Sequence, residues 1–436
     1  MGVKLLSGGT PTPFPNPFSW VEGLGLDTDP SFTAIPAKDV RATNGVGIDY
    51  QRVFEPSDDL TYSAVWMVLE YSRHEACNAP DANGNSSRIL VLGSDNFWHI
   101  YNINLDGNNE VTTVTYDHAI VNPSGITLAE GTWDPVDRDV FTYVGKEATS
   151  LVMYEWNCAN QTESVRFDWT AQIQARHPSW SDAVGIANID EGMYSDDGRY
   201  AAFLVRAAAF AYRGIVCVDM QTNTILGSIE GGVEPNYITM SPSGDYVSPS
   251  WYNTGGPSGT GGAWVYNKDF TNPRRISVAN GEHADMVKGA DGDDYYVTIG
   301  FGDVSQIPGH VGATDWIYAV NCRTQVVTNL YYTYDANVTD AIHFSGRCIG
   351  LPGYIVTSHY SLNDRDGIYL TNIHDGTIRR IGYSHVIGAP SYYHQPHAMI
   401  SPSGKHVFSS TNAEGTSTNP YSIMFHLPID SIPPAI

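Results

Sequence analysis

The sequence predicts an all-β fold: a single seven-bladed β-propeller of four-stranded antiparallel blades. Three observations carry that expectation. A strand–polar turn–strand element recurs along the chain at a spacing of about fifty residues. A second element, a polar turn followed by a short apolar strand, precedes most of its copies. Helix signals are nearly absent. Two such pairs of strands per unit of about fifty residues is the arithmetic of a propeller blade.

The outer element reads FWHIYNINLDGNNEVTTVTY from Phe97, LVMYEWNCANQTESVRF from Leu151, GIVCVDMQTNTILGSI from Gly214 and AWVYNKDFTNPRRISV from Ala263. It continues as DWIYAVNCRTQVVTNLY from Asp315, GIYLTNIHDGTIRRIGY from Gly367 and YSIMFHLPID from Tyr421. The starts lie 54, 63, 49, 52, 52 and 54 residues apart. Each copy alternates apolar and polar, breaks at Asp, Asn, Gly or Thr, and resumes, as a hairpin does. A set of β-sandwich domains does not explain this regular spacing. The inner element reads SDDGRYAAFLV from Ser195, SPSGDYVSPSW from Ser241, GADGDDYYVTIG from Gly289 and SPSGKHVFSS from Ser401, with WDPVDRDVFTYVG from Trp133 as a degenerate copy. It supplies the turn between the two inner strands of a blade. The seventh hairpin has only its first strand. The expected donor of the missing outer strand is the N-terminal segment, for instance Val3–Ser7, which closes the ring. Residues 1–53 are expected to form a strap and this closing segment, and residues 54–430 the blades. GGPSGTGG (Gly255–Gly262) reads as a flexible loop, since no phosphate-binding spacing follows it.

Composition bounds the function. A chain of 436 residues with 42% apolar and only 16% charged residues packs a core. Its net charge of −24 opposes nucleic acid and an anionic membrane surface as partners. No apolar run is long enough to span a bilayer as a helix. The N-terminus, MGVKLLSGGTPTPFP, shows no apolar signal-peptide core. Cys77, Cys158, Cys217, Cys322 and Cys348 are odd in number and have no metal-type spacing. The three sequons at Asn85, Asn160 and Asn337 are no more than chance supplies.

Phase within the repeat decides which residues face the funnel. Seven residues before the turn glycine stand Glu191, Tyr237, Asp285 and His397, and the degenerate copy gives Glu130. His283 lies two before Asp285, on the same strand face. His343, in TDAIHFSGRCIGLPGY, takes the matching place in the sixth blade, and His394 and Gln395 sit beside His397. His283, His343, His394 and His397 thus come from three consecutive blades and are expected to converge near the axis. Imidazoles with carboxylate or amide oxygens suit a divalent metal. H-x-x-H on a strand is a weak metal signal alone, and convergence is what strengthens it. The bland alternative is a set of solvated rim residues. That reading is preferred for His99, His118, His359, His374, His385, His406 and His426.

The stretches GEHADMVKGADG, TDAIHFSG and YYHQPHAMISPSGKHVFSSTN resemble the last three blades of oligogalacturonate lyase-like propellers, with ulvan lyases as related propellers. The resemblance implies a catalytic manganese held by His394, Gln395 and His397, with His343 as a further ligand, and His283 as the base. It implies an acidic polysaccharide or oligosaccharide as partner; an extracellular or periplasmic location is expected, although no signal peptide is visible.

The expected function is therefore a polysaccharide lyase that cleaves a uronic-acid polymer by β-elimination. The C5 proton is weakly acidic, so the developing charge must be neutralised. A divalent metal (Mn, Zn or Ca) on His343, His394, Gln395 and His397, or Arg206, is expected to do so. A base with a pKa near the working pH takes the proton, His283 first and Tyr252 second. Tyr237 or Tyr252 protonates the leaving oxygen. Glu191, Asp285 and Trp251 are expected to bind substrate. A hydrolase needs two carboxylates at a set separation, and Glu130, Glu191 and Asp285 keep that variant open. The alternative from another class is a non-catalytic carbohydrate- or protein-binding propeller of a cell surface or virion, because fold alone does not choose.

Overall fold

The computed structural model describes residues 42–43, 48–54, 67–69, 75–93, 95, 97–108, 110–120, 129–145, 151–188, 192–252, 254–277, 283–300, 316–332, 342–359, 367–382, 395–411, 421–428 and 432. Their strands form seven antiparallel sheets arranged as the blades of a ring. From the innermost strand outwards, blade 1 holds Met67–Val68, Arg88–Gly93, Trp98–Leu105 and Val111–Ile120. Blade 2 holds Ala129–Trp133, Val140–Gly145, Val152–Asn157 and Thr162–Asp168. Blade 3 holds Ala183–Ala187, Tyr200–Ala207, Tyr212–Asp219 and Thr224–Glu230. Blade 4 holds Tyr237–Met240, Tyr246–Trp251, Gly262–Asn267 and Arg274–Ser277. Blade 5 holds Ala284–Lys288, Asp294–Ile299, Trp316–Asn321 and Val327–Tyr332. Blade 6 holds Ile342–Ser345, Tyr354–His359, Gly367–Asn372 and Ile378–Gly382. Blade 7 holds Met399–Ile400, His406–Thr411 and Tyr421–His426.

The fourth strand of blade 7 comes from the other end of the chain. It is Asp49–Phe54, paired antiparallel with Tyr421–His426 from Asp49 opposite His426 to Phe54 opposite Ser422. This places the closing strand at Asp49–Phe54, whereas Val3–Ser7, the donor named above, lies outside the described residues. A fifth, two-residue strand, Ala42–Thr43, lies outside it. Between blades 2 and 3 runs a short helix, Thr170–Arg176, which the strand-only expectation did not include.

The core is a set of seven layers, one between each pair of neighbouring blades. The strand period of two explains how one strand feeds two layers. In blade 3, Ala201, Phe203 and Val205 turn towards blade 2, while Ala202 and Leu204 turn towards blade 4. A strand buried on both faces reads as a continuous apolar run, and AAFLV does. The last layer closes the ring: Val53, Met399, Phe408 and Met424 of blade 7 pack on Leu69, Ile89, Val91 and Tyr101 of blade 1. All five cysteines are buried and free in these layers.

The recurring turn has a repeated physical cause. Ser195, Ser241 and Ser401 each accept, on Oγ, the backbone N–H five residues on, at 3.0, 3.0 and 3.1 Å. Gly198, Gly244 and Gly404 take the left-handed backbone at the turn, with φ of 68°, 76° and 77°, which costs glycine nothing. The strand pairing puts these turns at one end of the ring and the starts of the innermost strands at the other. That second end is the entry face.

Candidate functional site

Three histidines from three consecutive blades meet at the entry face. His283 immediately precedes the innermost strand of blade 5, His343 is the second residue of that of blade 6, and His397 lies two before that of blade 7. The ring centroids of His283 and His343 are 5.3 Å apart, edge to face. Those of His343 and His397 are 4.3 Å apart. Nε2 of His343 hydrogen-bonds Oε1 of Gln395 at 2.7 Å. His343 and His397 are 1% and 2% exposed, while His283 and Gln395 are half-buried. The cluster therefore opens through His283 and Gln395. His394 and Glu191 lie outside the described residues.

The backbone around His397 is constrained. Its φ is 35°, in the left-handed region that a side chain rarely adopts. The residues on either side are pinned. Pro396 accepts at its carbonyl from Ser410 N–H at 2.9 Å and from Ser409 Oγ at 3.0 Å, and Ala398 N–H donates to Ser358 Oγ at 3.2 Å. Strain held by surrounding bonds is a feature of functional positions. On the opposite side, Thr298 Oγ1 donates to the His283 carbonyl at 2.8 Å.

Asp285 supports the cluster from below. It is 1% exposed. One oxygen accepts from Met286 N–H at 2.7 Å and the other from Gly346 N–H of blade 6 at 2.6 Å. The Nε of Arg347 stands 3.6 Å from its Oδ1. Arg347 itself, 4% exposed, reaches from blade 6 across the axis. Its guanidinium donates to the Tyr194 carbonyl at 3.0 Å, to the Gly192 carbonyl at 3.5 Å and, very closely, to the Met240 carbonyl. A Cβ on residue 192 would sit 1.9 Å from Nη2, so only glycine lets the arginine cross. Arg347 thus floors the funnel and ties blades 3, 4, 5 and 6 together. No pattern in the sequence pointed to it beyond an arginine between glycines, in GRCIG, in a chain poor in basic residues.

On the far side of Arg347 is a small cavity of about 20 Å³, lined among others by Glu75, Trp133, Asp134, Tyr194 and Asp196. Burial pushes the Asp196 carboxyl up to about 7; Arg347 opposes the shift and Glu75 adds to it.

The remaining expected site residues lie beneath the histidine cluster or away from it. Tyr237 is 2% exposed, packs in the layer between blades 4 and 5, and shares a very short hydrogen bond with the Tyr296 hydroxyl. An acid for a leaving group needs access, and this hydroxyl has none. Trp251 is 3% exposed and donates its indole N–H to the Val233 carbonyl at 2.8 Å. Arg206 is 9% exposed and forked onto Glu234, with Nε at 3.0 Å from Oε1. Its charge is thereby answered within blades 3 and 4. Tyr252 is 46% exposed on the same side. Asp285, expected to touch substrate, spends both oxygens on backbone amides instead. Glu130 is 1% exposed and turns one oxygen to the next blade, accepting from Asn188 N–H at 2.5 Å. The shared phase of these carboxylates thus reports stitching between blades. Among the described residues, no group of three or more His, Cys, Asp or Glu is arranged to hold a metal ion.

No family model matches the sequence, and no curated protein matches it. Solved structures do. One is an oligogalacturonate lyase in complex with manganese, with a TM-score of 0.57 and 16% identity, over 90% of this chain and 96% of that one. Another is the oligogalacturonate lyase of Vibrio parahaemolyticus, with a TM-score of 0.55 and 14% identity, over 91% of this chain and all of that one. At such identities the likeness is one of fold, and in fold this chain is similar to the oligogalacturonate lyases.

Proposed function

We propose that the protein is a polysaccharide lyase that cleaves an acidic, uronate-containing polysaccharide or oligosaccharide by β-elimination in the funnel at the entry face. The observation that carries this reading is the contact of His283, His343 and His397 from blades 5, 6 and 7. The shared fold with oligogalacturonate lyases supports it.

His283, half-buried at the mouth, is the base. It takes the C5 proton of the uronate; the C5–H electrons form the C4–C5 double bond, and the C4–O bond breaks. The imidazolium so formed returns its proton to the leaving oxygen, a role that buried Tyr237 cannot fill. An imidazole serves this exchange because its pKa lies near neutrality.

We assign a divalent cation to His343, His397 and Gln395, with His394, outside the described residues, as a further ligand. His343 Nε2 and Gln395 Oε1 already face each other, joined by a 2.7 Å hydrogen bond that a bound cation would replace. Imidazole with amide oxygen suits manganese or zinc better than calcium, which takes oxygen donors. Such a cation, when bound, neutralises charge on the uronate carboxylate. Among the chain's own residues, Gln395 orients the His343 ring, Thr298 holds the His283 backbone, and Arg347 closes the floor so that substrate enters and leaves by one mouth.

The test is ultraviolet absorbance of unsaturated uronate on incubation with pectate, alginate, ulvan and glucuronan, with and without chelator and Mn²⁺. Absorbance should rise with one polymer. His283→Ala should lower kcat by about 10²–10⁴-fold, the usual worth of general base catalysis. No rise with any polymer would discard the lyase reading in favour of a binding propeller.

A further inference from the structure

The entry face carries a second feature, in blades 3 and 4, next to the three histidine blades. Among the described residues seven large apolar side chains are exposed, and three of them stand here: Phe210 at 40%, Val233 at 53% and Tyr252 at 46%. They are joined by a rigid support. The Arg206 guanidinium lies 5.7 Å from the centre of the Phe210 ring. Arg206 is forked onto Glu234, the neighbour of Val233. The Val233 carbonyl holds the Trp251 indole, the neighbour of Tyr252. Strand pairing places all three on the histidine side: Ala207 is opposite Ala183, Ser250 opposite Tyr237 and Thr298 opposite Ala284.

Phe210 is presented at a cost. Ala209 and Phe210 both have left-handed backbones, with φ of 56° and 58°. Two consecutive non-glycine residues in that region are unfavourable. The turn is held by Ala207 N–H donating to the Ala211 carbonyl at 2.8 Å. The ring is strained into place and still leaves 40% of its surface exposed, so it presents a face to an occupant. The occupant the chemistry fits is a sugar. Aromatic rings offer flat faces to the apolar C–H face of a pyranose, and the Arg206–Glu234 pair beside them offers a donor and an acceptor for hydroxyls. The Glu234 carboxylate of the strip is answered by Arg206, which lowers the negative charge an acidic polymer meets there despite the net charge of −24.

We infer that Phe210, Val233 and Tyr252, on the Arg206–Glu234 support, form a sugar-binding platform that holds units of the polysaccharide remote from the bond at the histidines. This rests on the lyase reading for its substrate, yet it is tested separately by binding. The probes are the same four polymers in affinity electrophoresis, with turnover measured in parallel on each polymer and on its trimer. Phe210→Ala and Tyr252→Ala should raise Kd for the polymer about 10-fold or more; Phe210→Ala should also leave kcat unchanged and the trimer unaffected, whereas Phe210→Tyr should retain affinity. Phe210→Gly should also lose affinity while raising Tm by about 1 °C, because it relieves the backbone. A ring with a purely structural role would lower Tm instead. Wild type that binds a polymer without cleaving it, with binding lost in Phe210→Ala, would keep the platform and remove the lyase. Unchanged affinity in both alanine variants, or no binding by wild type to any of the four, would overturn the platform.

Discussion

At the scale of single residues, two titratable groups shape the pH dependence of stability in opposite directions. His359 is buried in blade 6 with its Nε2 2.8 Å from the Tyr331 hydroxyl. Burial, helped by nearby Arg380, lowers its pKa to about 3. The unfolded chain therefore binds more protons than the folded one between about pH 6.5 and 3, and stability falls as pH drops through that window. Asp196 has the reverse sign. Its folded pKa of about 7 lies above the unfolded value of about 4, so stability is lost as pH rises from about 4 to 7. The groups acting on it are Arg347, Glu75, Asp294 and Lys288. Thermal melts from pH 4 to 8 should show His359→Gln flattening the acid limb and Asp196→Asn flattening the neutral one. Each effect is bounded by about 1.4 kcal/mol per pK unit. Unchanged limbs in both variants would place these groups in solvent.

At the scale of the element, the repeated inner turn separates backbone strain from packing. Gly244 and Gly292 both have a left-handed backbone, with φ of 76° and 86°. A Cβ at 292 would meet nothing within 4 Å, whereas one at 244 would stand 2.3 Å from Cδ2 of Tyr200. Gly292→Ala should therefore cost only the conformational term, about 1 kcal/mol. Gly244→Ala should cost that plus an overpacking term, about 2–4 kcal/mol in all. Denaturant midpoints of the two variants measure the difference, and equal losses would mean that Tyr200 moves aside freely. The same turn explains why the repeat was readable: its serine, its glycine and the strand after it are chemical necessities of a short local structure. The direction of the phase-matched side chains was not readable, for the opposite reason. Tyr237, Asp285 and Glu130 share a phase with His397, but phase gives the height of a residue on the innermost strand, not whether its side chain turns to the channel or to the next blade.

At the scale of the whole molecule, Arg347 joins what the chain separates. It spans from blade 6 to carbonyls of blades 3 and 4 and to the Asp285 carboxylate of blade 5. Removing one partner of a buried pair leaves an uncompensated charge, at about 3–5 kcal/mol. Arg347→Met should lose that much. Adding Asp285→Asn should restore part of it, because no buried carboxylate is then stranded. A double variant no more stable than the single one would show that the carbonyl contacts, not the charge pair, carry the effect. Because Asp285 follows Ala284 and His283 in one short segment, Arg347→Met should also raise KM for any cleaved polymer.

The amino-acid sequence by itself determined the seven-fold repeat, the place of each hairpin and turn, and the convergence of histidines from the last three blades. These depend on local periodicity and turn chemistry, which neighbouring residues specify. Only the tertiary structure decided that Asp49–Phe54 closes the ring, since a strand's partner some 370 residues away leaves no local trace. It alone placed Arg206, Trp251 and Tyr252 in blades 3 and 4 outside the histidine cluster, set Tyr237 into the core, and brought Arg347 across the axis. Those outcomes follow from the angle between blades and the direction of each side chain, quantities that exist once the ring has closed.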